Sequence, residues 1–148
     1  MINRLDMIKR ILIIAAVAAA CLLGAVVACK NYETAPENAH FTIRASANDG
    51  TVNDGCKLEI VMTFGEPDGE NTISLSVYNV DNGVGVSTWR LLANGRTTIT
   101  EGSPWSFDED GRAWFVLEGL PRGQYRAQVT VKRWYHTASD VVEFTINQ

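Results

Sequence analysis

The chain has 148 residues and a net charge of −4, with three cysteines and two histidines. This is chain enough for one ordinary domain and one hydrophobic core. The acidic balance repels nucleic acid phosphates, which excludes a protein built to hold DNA or RNA through bulk charge.

Arg4, Lys9 and Arg10 precede an apolar run from Ile11 to Val27, which ends in Val26-Val27-Ala28-Cys29. A charged segment, an apolar segment and small residues before a cleavage point define a signal peptide, whereas a spanning helix wants about 20 apolar residues. Small residues directly before a cysteine, with polar Lys30-Asn31-Tyr32-Glu33 directly after it, make this a bacterial lipobox. Residues 1–28 are expected to be cleaved, and Cys29 is expected to carry the acyl chains, palmitate among them. Each buried methylene contributes about 0.8 kcal/mol, so one chain anchors marginally and two or three hold firmly. Cys21, after Ala18-Ala19-Ala20, is a second candidate, but it would leave apolar Leu22 to Ala28 on the mature protein. Met7 could equally be the start, because Met7-Ile8-Lys9-Arg10 suffices as a charged segment. The leader's Arg4, Asp6, Lys9 and Arg10 amount to +2, so the remaining 120 residues stand at −6. Cys56 is then the one cysteine left in the domain; no disulfide can form there, and a small buried role is expected.

Residues 29–40 hold the lipidated cysteine and a polar tether with Asn31, Thr34, Pro36 and Asn38. About ten flexible residues reach roughly 15–20 Å, enough to hold a domain clear of lipid headgroups.

From Phe41 onward the apolar period is two. Phe41, Ile43 and Ala45 alternate with Thr42 and Arg44; Leu58, Ile60, Met62 and Phe64 alternate with Lys57, Glu59 and Thr63, with Val61 breaking the pattern. These predict half-buried strands. Ala47 to Gly55 and Gly65 to Gly69 are loops by composition, and Thr72 to Val80 is a third strand ended by Asp81-Asn82-Gly83. Val84 to Trp89 is short and loosened by Gly85. Asn94-Gly95, between Trp89–Ala93 and Arg96–Thr100, predicts a type I′ hairpin turn. Ser103 to Phe107 supplies Trp105 and Phe107, and Arg112 to Leu117 is apolar on both sides. Tyr125, Ala127, Val129 and Val131 alternate without fault, as do Val142, Phe144 and Ile146.

Seven or eight short strands and no helical pattern after the leader predict an all-β fold: a single Ig-like β-sandwich of about seven strands over residues 41–148. Leu117 to Tyr125 resembles the approach to the sixth strand of immunoglobulin and fibronectin type III domains, where a tyrosine bonds back to the backbone. The paired Ig cysteines are missing, so a generic Ig-like module is expected.

No nucleophile motif, metal-spaced cluster or phosphate loop occurs, so no catalytic residue, metal or cofactor is expected. Asp108-Glu109-Asp110-Gly111 resembles the start of a calcium loop, but Arg112 stands at the fifth position and no glutamate falls at the twelfth. Binding candidates are Arg122, Arg126, Lys132 and Arg133, as one basic side on an acidic protein, with Trp134 and Tyr135 where the last two strands turn. Each has a plain alternative: a solvated strand face for the cations and core packing for the aromatics. An unbulged strand would make Trp134 face with Arg126 and Lys132.

The layout resembles the small TraQ-type conjugal transfer lipoproteins of Bacteroides conjugative transposons. The matching features are Cys29, the tether into Phe41-Thr42-Ile43, Gly55 with Glu59-Ile60, Tyr78-Asn79-Val80-Asp81 before Gly83 and Gly85, and Phe144-Thr145-Ile146-Asn147. The resemblance implies a noncatalytic envelope component of a mating apparatus, outer-membrane anchored on its periplasmic or surface face, with protein partners and no nucleic acid. It supplies no site residues. A surface adhesin or glycan-binding Ig-like module is the other reading of the same chain.

Overall fold

The computed structural model describes Arg4, Asp6–Arg10 and His40–Gln148. The apolar leader segment, the lipobox with Cys29, and the tether up to Ala39 lie outside the described residues. Arg4 and Asp6–Arg10 are helical, and no helix among the described residues is long and apolar enough to cross a membrane.

His40–Gln148 form two packed five-stranded sheets. The strands are β1 (Thr42–Ala47), β2 (Gly50–Thr51), β3 (Cys56–Phe64), β4 (Thr72–Asn79), β5 (Gly85–Val86), β6 (Arg90–Ala93), β7 (Thr97–Ile99), β8 (Arg112–Glu118), β9 (Gly123–Arg133) and β10 (His136–Asn147). One sheet runs β1-β3-β8-β6-β7 and the other β2-β10-β9-β4-β5. Leaving out the short β2, β5 and β7, the third and sixth strands in sequence, β4 and β9, lie side by side, with β10 beyond them. This is the arrangement of an Ig-like sandwich. The expected all-β architecture is therefore observed.

Period-two patterning explains the core. Leu58, Ile60, Phe115 and Leu117 point inward from one sheet, and Val77, Ala127, Val129, Val131, Phe144 and Ile146 meet them from the other. Each fully buried side chain of this size contributes about 1.5–3 kcal/mol. Trp105 closes one end, edge-on to Phe107 and Phe115 at centroid distances of 4.9 and 5.2 Å. Cys56 is buried as expected, and loss of solvation, followed by the nearby Asp49 carboxylate, pushes its thiol up to about 12.

Tyr125 fulfils the corner expectation. Its ring stacks on Phe144, and its hydroxyl donates to the Pro121 carbonyl at 2.7 Å.

Three local expectations need correction. The stretch Ala47 to Gly55 is not all loop, because the chain changes sheets there: Gly50 and Thr51 pair in parallel with Ile146 and Asn147. The Asp49 carboxylate accepts the Thr145 amide at 2.8 Å, and a β-carbon at Gly50 would fall 2.0 Å from the Gly55 carbonyl oxygen, so the crossover admits only glycine. At the Asn94-Gly95 turn both residues have positive φ, 52° and 68°, and Arg96 N–H returns to Ala93 O at 3.1 Å. The ladder nevertheless pairs Ala93 with Thr97, which makes the connection one residue longer than a two-residue turn. Phe64, read as core, is 66% exposed: the register of β1 against β3 shifts between Thr42 and Ile43, and Phe64 falls at the very end of the ladder, opposite Thr42.

Candidate functional site

The four cations read as one basic side do not form one. Arg126 and Lys132 do share the solvent face of β9, but the alternation that puts them there turns Arg133 inward with Val129 and Val131. Arg133 is 3% exposed. Its guanidinium donates to Asn71 Oδ1 at 2.9 Å, to Glu66 O at 2.6 Å and to Pro67 O at 3.4 Å, and it lies 5.2 Å from the Phe41 ring centre. Loss of solvation lowers its pKa, and Asp68 works against that shift. Arg126 is engaged as well. It forms an ion pair with Glu143 on β10, with Nε at 2.7 Å from the carboxylate, and donates to Tyr78 Oη at 3.1 Å. Arg122 precedes the start of β9 while Arg133 ends it, and 11 residues of strand separate such positions by about 35 Å.

The aromatic pair behaves otherwise. Arg133 pairs with His136, so Trp134 and Tyr135 form the two-residue turn between β9 and β10. Trp134 has φ 55°, positive φ at the first turn position as in a type II′ turn, where glycine is the favoured residue. The turn ends the strand at Arg133, so Trp134 does not continue the face of Arg126 and Lys132. Trp134 is 46% exposed and Tyr135 81%.

Sequence reasoning missed what stands beside this turn. The rings of His40 and His136, the chain's two histidines, lie 3.9 Å apart between centroids. His40 is where the described domain begins, and its ring neighbour His136 directly follows Tyr135 in sequence. Exposed Phe64 lies opposite Thr42, two residues beyond His40. Below the turn, Arg133 grips the carbonyls of the β3–β4 loop, and Gly69 packs close to its guanidinium. Three segments far apart in sequence thus reach the end of the sandwich where His40 begins the described domain, and they expose Phe64, Trp134 and Tyr135 there as an aromatic rim. No local sequence signal announces it, because each residue alone reads as core or loop.

Among the described residues, the carboxylates in the surface depressions are few or already engaged: in the depression lined by Asp49 and Glu143, Asp49 accepts the Thr145 amide and Glu143 pairs with Arg126. A depression of about 290 Å³, between Ile73, Trp89, Leu91 and Ile99, has Glu101 as its one carboxylate. Another, lined by Trp105, Trp114, Asp108 and Arg112, has Asp108 in the same position. That carboxylate is already committed, since its Oδ1 accepts the Asp110 and Arg112 amides at 3.0 and 2.8 Å. The acidic turn thereby caps its own backbone, which is why it looked like a calcium loop in sequence.

No family model matches the chain, and no curated protein matches it. Among solved structures it is similar to a conjugative transposon lipoprotein from Bacteroides eggerthii, at 8% identity and TM-score 0.44, over 70% of this chain and 95% of that one. It is also similar to a lipoprotein from Bacteroides thetaiotaomicron, at 10% identity and TM-score 0.44, over 80% and 88% of the two chains. A conjugate transposon protein from Bacteroides vulgatus is similar at 11% identity and TM-score 0.39, over 77% and 90%.

Proposed function

We propose that the chain is a noncatalytic envelope lipoprotein, anchored through Cys29 in the outer membrane, and a structural or adaptor component of a conjugative transfer apparatus that works through protein–protein contacts. The observation that carries this reading is the lipobox, Val26-Val27-Ala28-Cys29, followed by a polar tether and a single Ig-like domain. The domain supports it in two ways. Its buried polar groups, Arg133 and Asn71, are spent on each other and on loop carbonyls rather than aimed into a cleft. Its exposed cations are dispersed, which suits contacts with a folded acidic surface more than a grip on nucleic acid.

Radioactive palmitate and mating assays in the native host test the reading together. The wild type is expected to take label and sediment with membranes; Cys29→Ala is expected to lose both and to lower transfer frequency as far as deletion does. Label that persists on Cys29→Ala would move the lipid to another position, Cys21 first. Transfer that survives deletion would remove the apparatus from the proposal.

A further inference from the structure

We infer that the rim formed by Phe64, Trp134 and Tyr135 is a lipid-docking surface, which seats the domain on the neutral headgroup layer of the membrane that holds its anchor. The inference rests on the lipidation of Cys29.

Three observations converge. First, all three side chains are exposed, at 66%, 46% and 81%, and all lie at the end of the sandwich where the chain enters at His40. Only ten residues lie between Cys29 and His40, an r.m.s. reach of roughly 15–20 Å. The rim is therefore the first part of the domain to meet the bilayer. Second, the rim combines an indole, a phenol and a phenyl ring, the amphipathic chemistry that settles at membrane interfaces with its apolar body in and its polar edge wet. Third, Trp134 is held in a left-handed conformation that disfavours bulky side chains by about 1–2 kcal/mol. Glycine would relieve that cost, and strain borne by an exposed indole at a turn marks a side chain with a use.

Affinity need not be high. A short tether supplies an effective concentration in the millimolar range, so even a weak insertion is populated in the anchored protein. Charge selects the lipid. Glu66, Asp68 and Glu70 flank the rim on the β3–β4 loop and outnumber the exposed cations of the adjoining strands, Arg44 on β1 and Lys132 on β9, while Arg133 is buried beneath. Neutral phospholipid fits such a rim, and an anionic surface repels it. Docking in this way would turn the opposite end of the sandwich, with Arg122, toward partners.

The test uses the full lipidated protein reconstituted into phosphatidylcholine vesicles whose acyl chains carry bromine near the headgroup, a short-range quencher of tryptophan. Flotation of the same vesicles reports the anchor. Quenched emission is expected from the wild type and from Trp114→Phe, on the outer face of the other sheet, and its loss is expected from Trp134→Phe. Phe64→Ser with Tyr135→Ser should weaken the quenching, and so should anionic lipid at low salt. Protein that floats with its Trp134 emission unquenched overturns the docking and leaves the anchor standing, as does quenching that survives Trp134→Phe. Protein that fails to float overturns the anchor, and the docking with it.

Discussion

Replacing Arg133 by methionine tests whether the last residue of β9 is a structural clamp or a surface charge. The substitution keeps a long apolar side chain beside Phe41 and removes every donor. Asn71 Oδ1 and the Glu66 carbonyl then lose partners at 2.9 and 2.6 Å, and the Pro67 carbonyl loses a longer contact at 3.4 Å. Asn71 is itself 1% exposed, and its amide group also donates to the Trp105 carbonyl at 3.3 Å, so disturbance spreads to the Trp105 segment. A hydrogen bond to a charged group nets about 1.5–3 kcal/mol, and a stranded buried acceptor costs about 1–3 kcal/mol. Against this, removing a buried guanidinium recovers the desolvation that lowers its pKa. The net expectation is a loss of about 2–3 kcal/mol, with Arg133→Lys intermediate because a point charge replaces a planar fork. A solvated residue would change stability by no more than about 0.5 kcal/mol. With a urea slope of roughly 1–2 kcal/mol per molar, the midpoint should fall by about 1–3 M. Amide exchange across Glu66 to Asn71 should accelerate as the loop comes free. An unmoved midpoint with unchanged protection in that loop would refute the clamp.

Tyr125→Phe removes a 2.7 Å bond to Pro121 O within the corner and should cost about 1 kcal/mol, read as a lower urea midpoint at unchanged slope. The Cys56 thiol should resist alkylation in the native protein at pH 8 and react on unfolding; rapid native labelling would contradict its burial. Because its folded pKa is raised from 9.0 to about 12, its contribution to stability is full below pH 9 and lost as pH climbs through that window. Cys56→Ala should flatten this alkaline decline, and an identical decline would assign it to other groups. With Arg133 buried and Arg126 paired, DNA binding by fluorescence anisotropy should be absent at about 0.15 M salt. Submicromolar binding there, abolished by Arg126→Glu, would instead make the protein a DNA-handling one.

Sequence by itself determined the sheets. Unbroken alternation in Tyr125 to Val131 and Val142 to Ile146 has one solution, a strand with one face in a core, and the corner tyrosine follows from the glycines and proline that precede it. The same alternation already carried Arg133 inward, since it stands two residues beyond Val131; its charge argued for the surface and hid the pattern. Only tertiary structure could decide that conflict, because burial of a guanidinium depends on Asn71 and two loop carbonyls more than sixty residues away. The parallel pairing of Gly50 with Ile146 was equally closed to local reading: a two-residue strand has no period, and its partner lies 96 residues on. The aromatic rim belongs to the same class. Phe64 escaped the core through a register shift against β1, Trp134 left its strand through one positive φ, and His40 found His136 across the whole length of the domain. Period and turn chemistry are properties of neighbouring residues and can be read in line, whereas which strand ends meet is set by how two sheets close over a shared core.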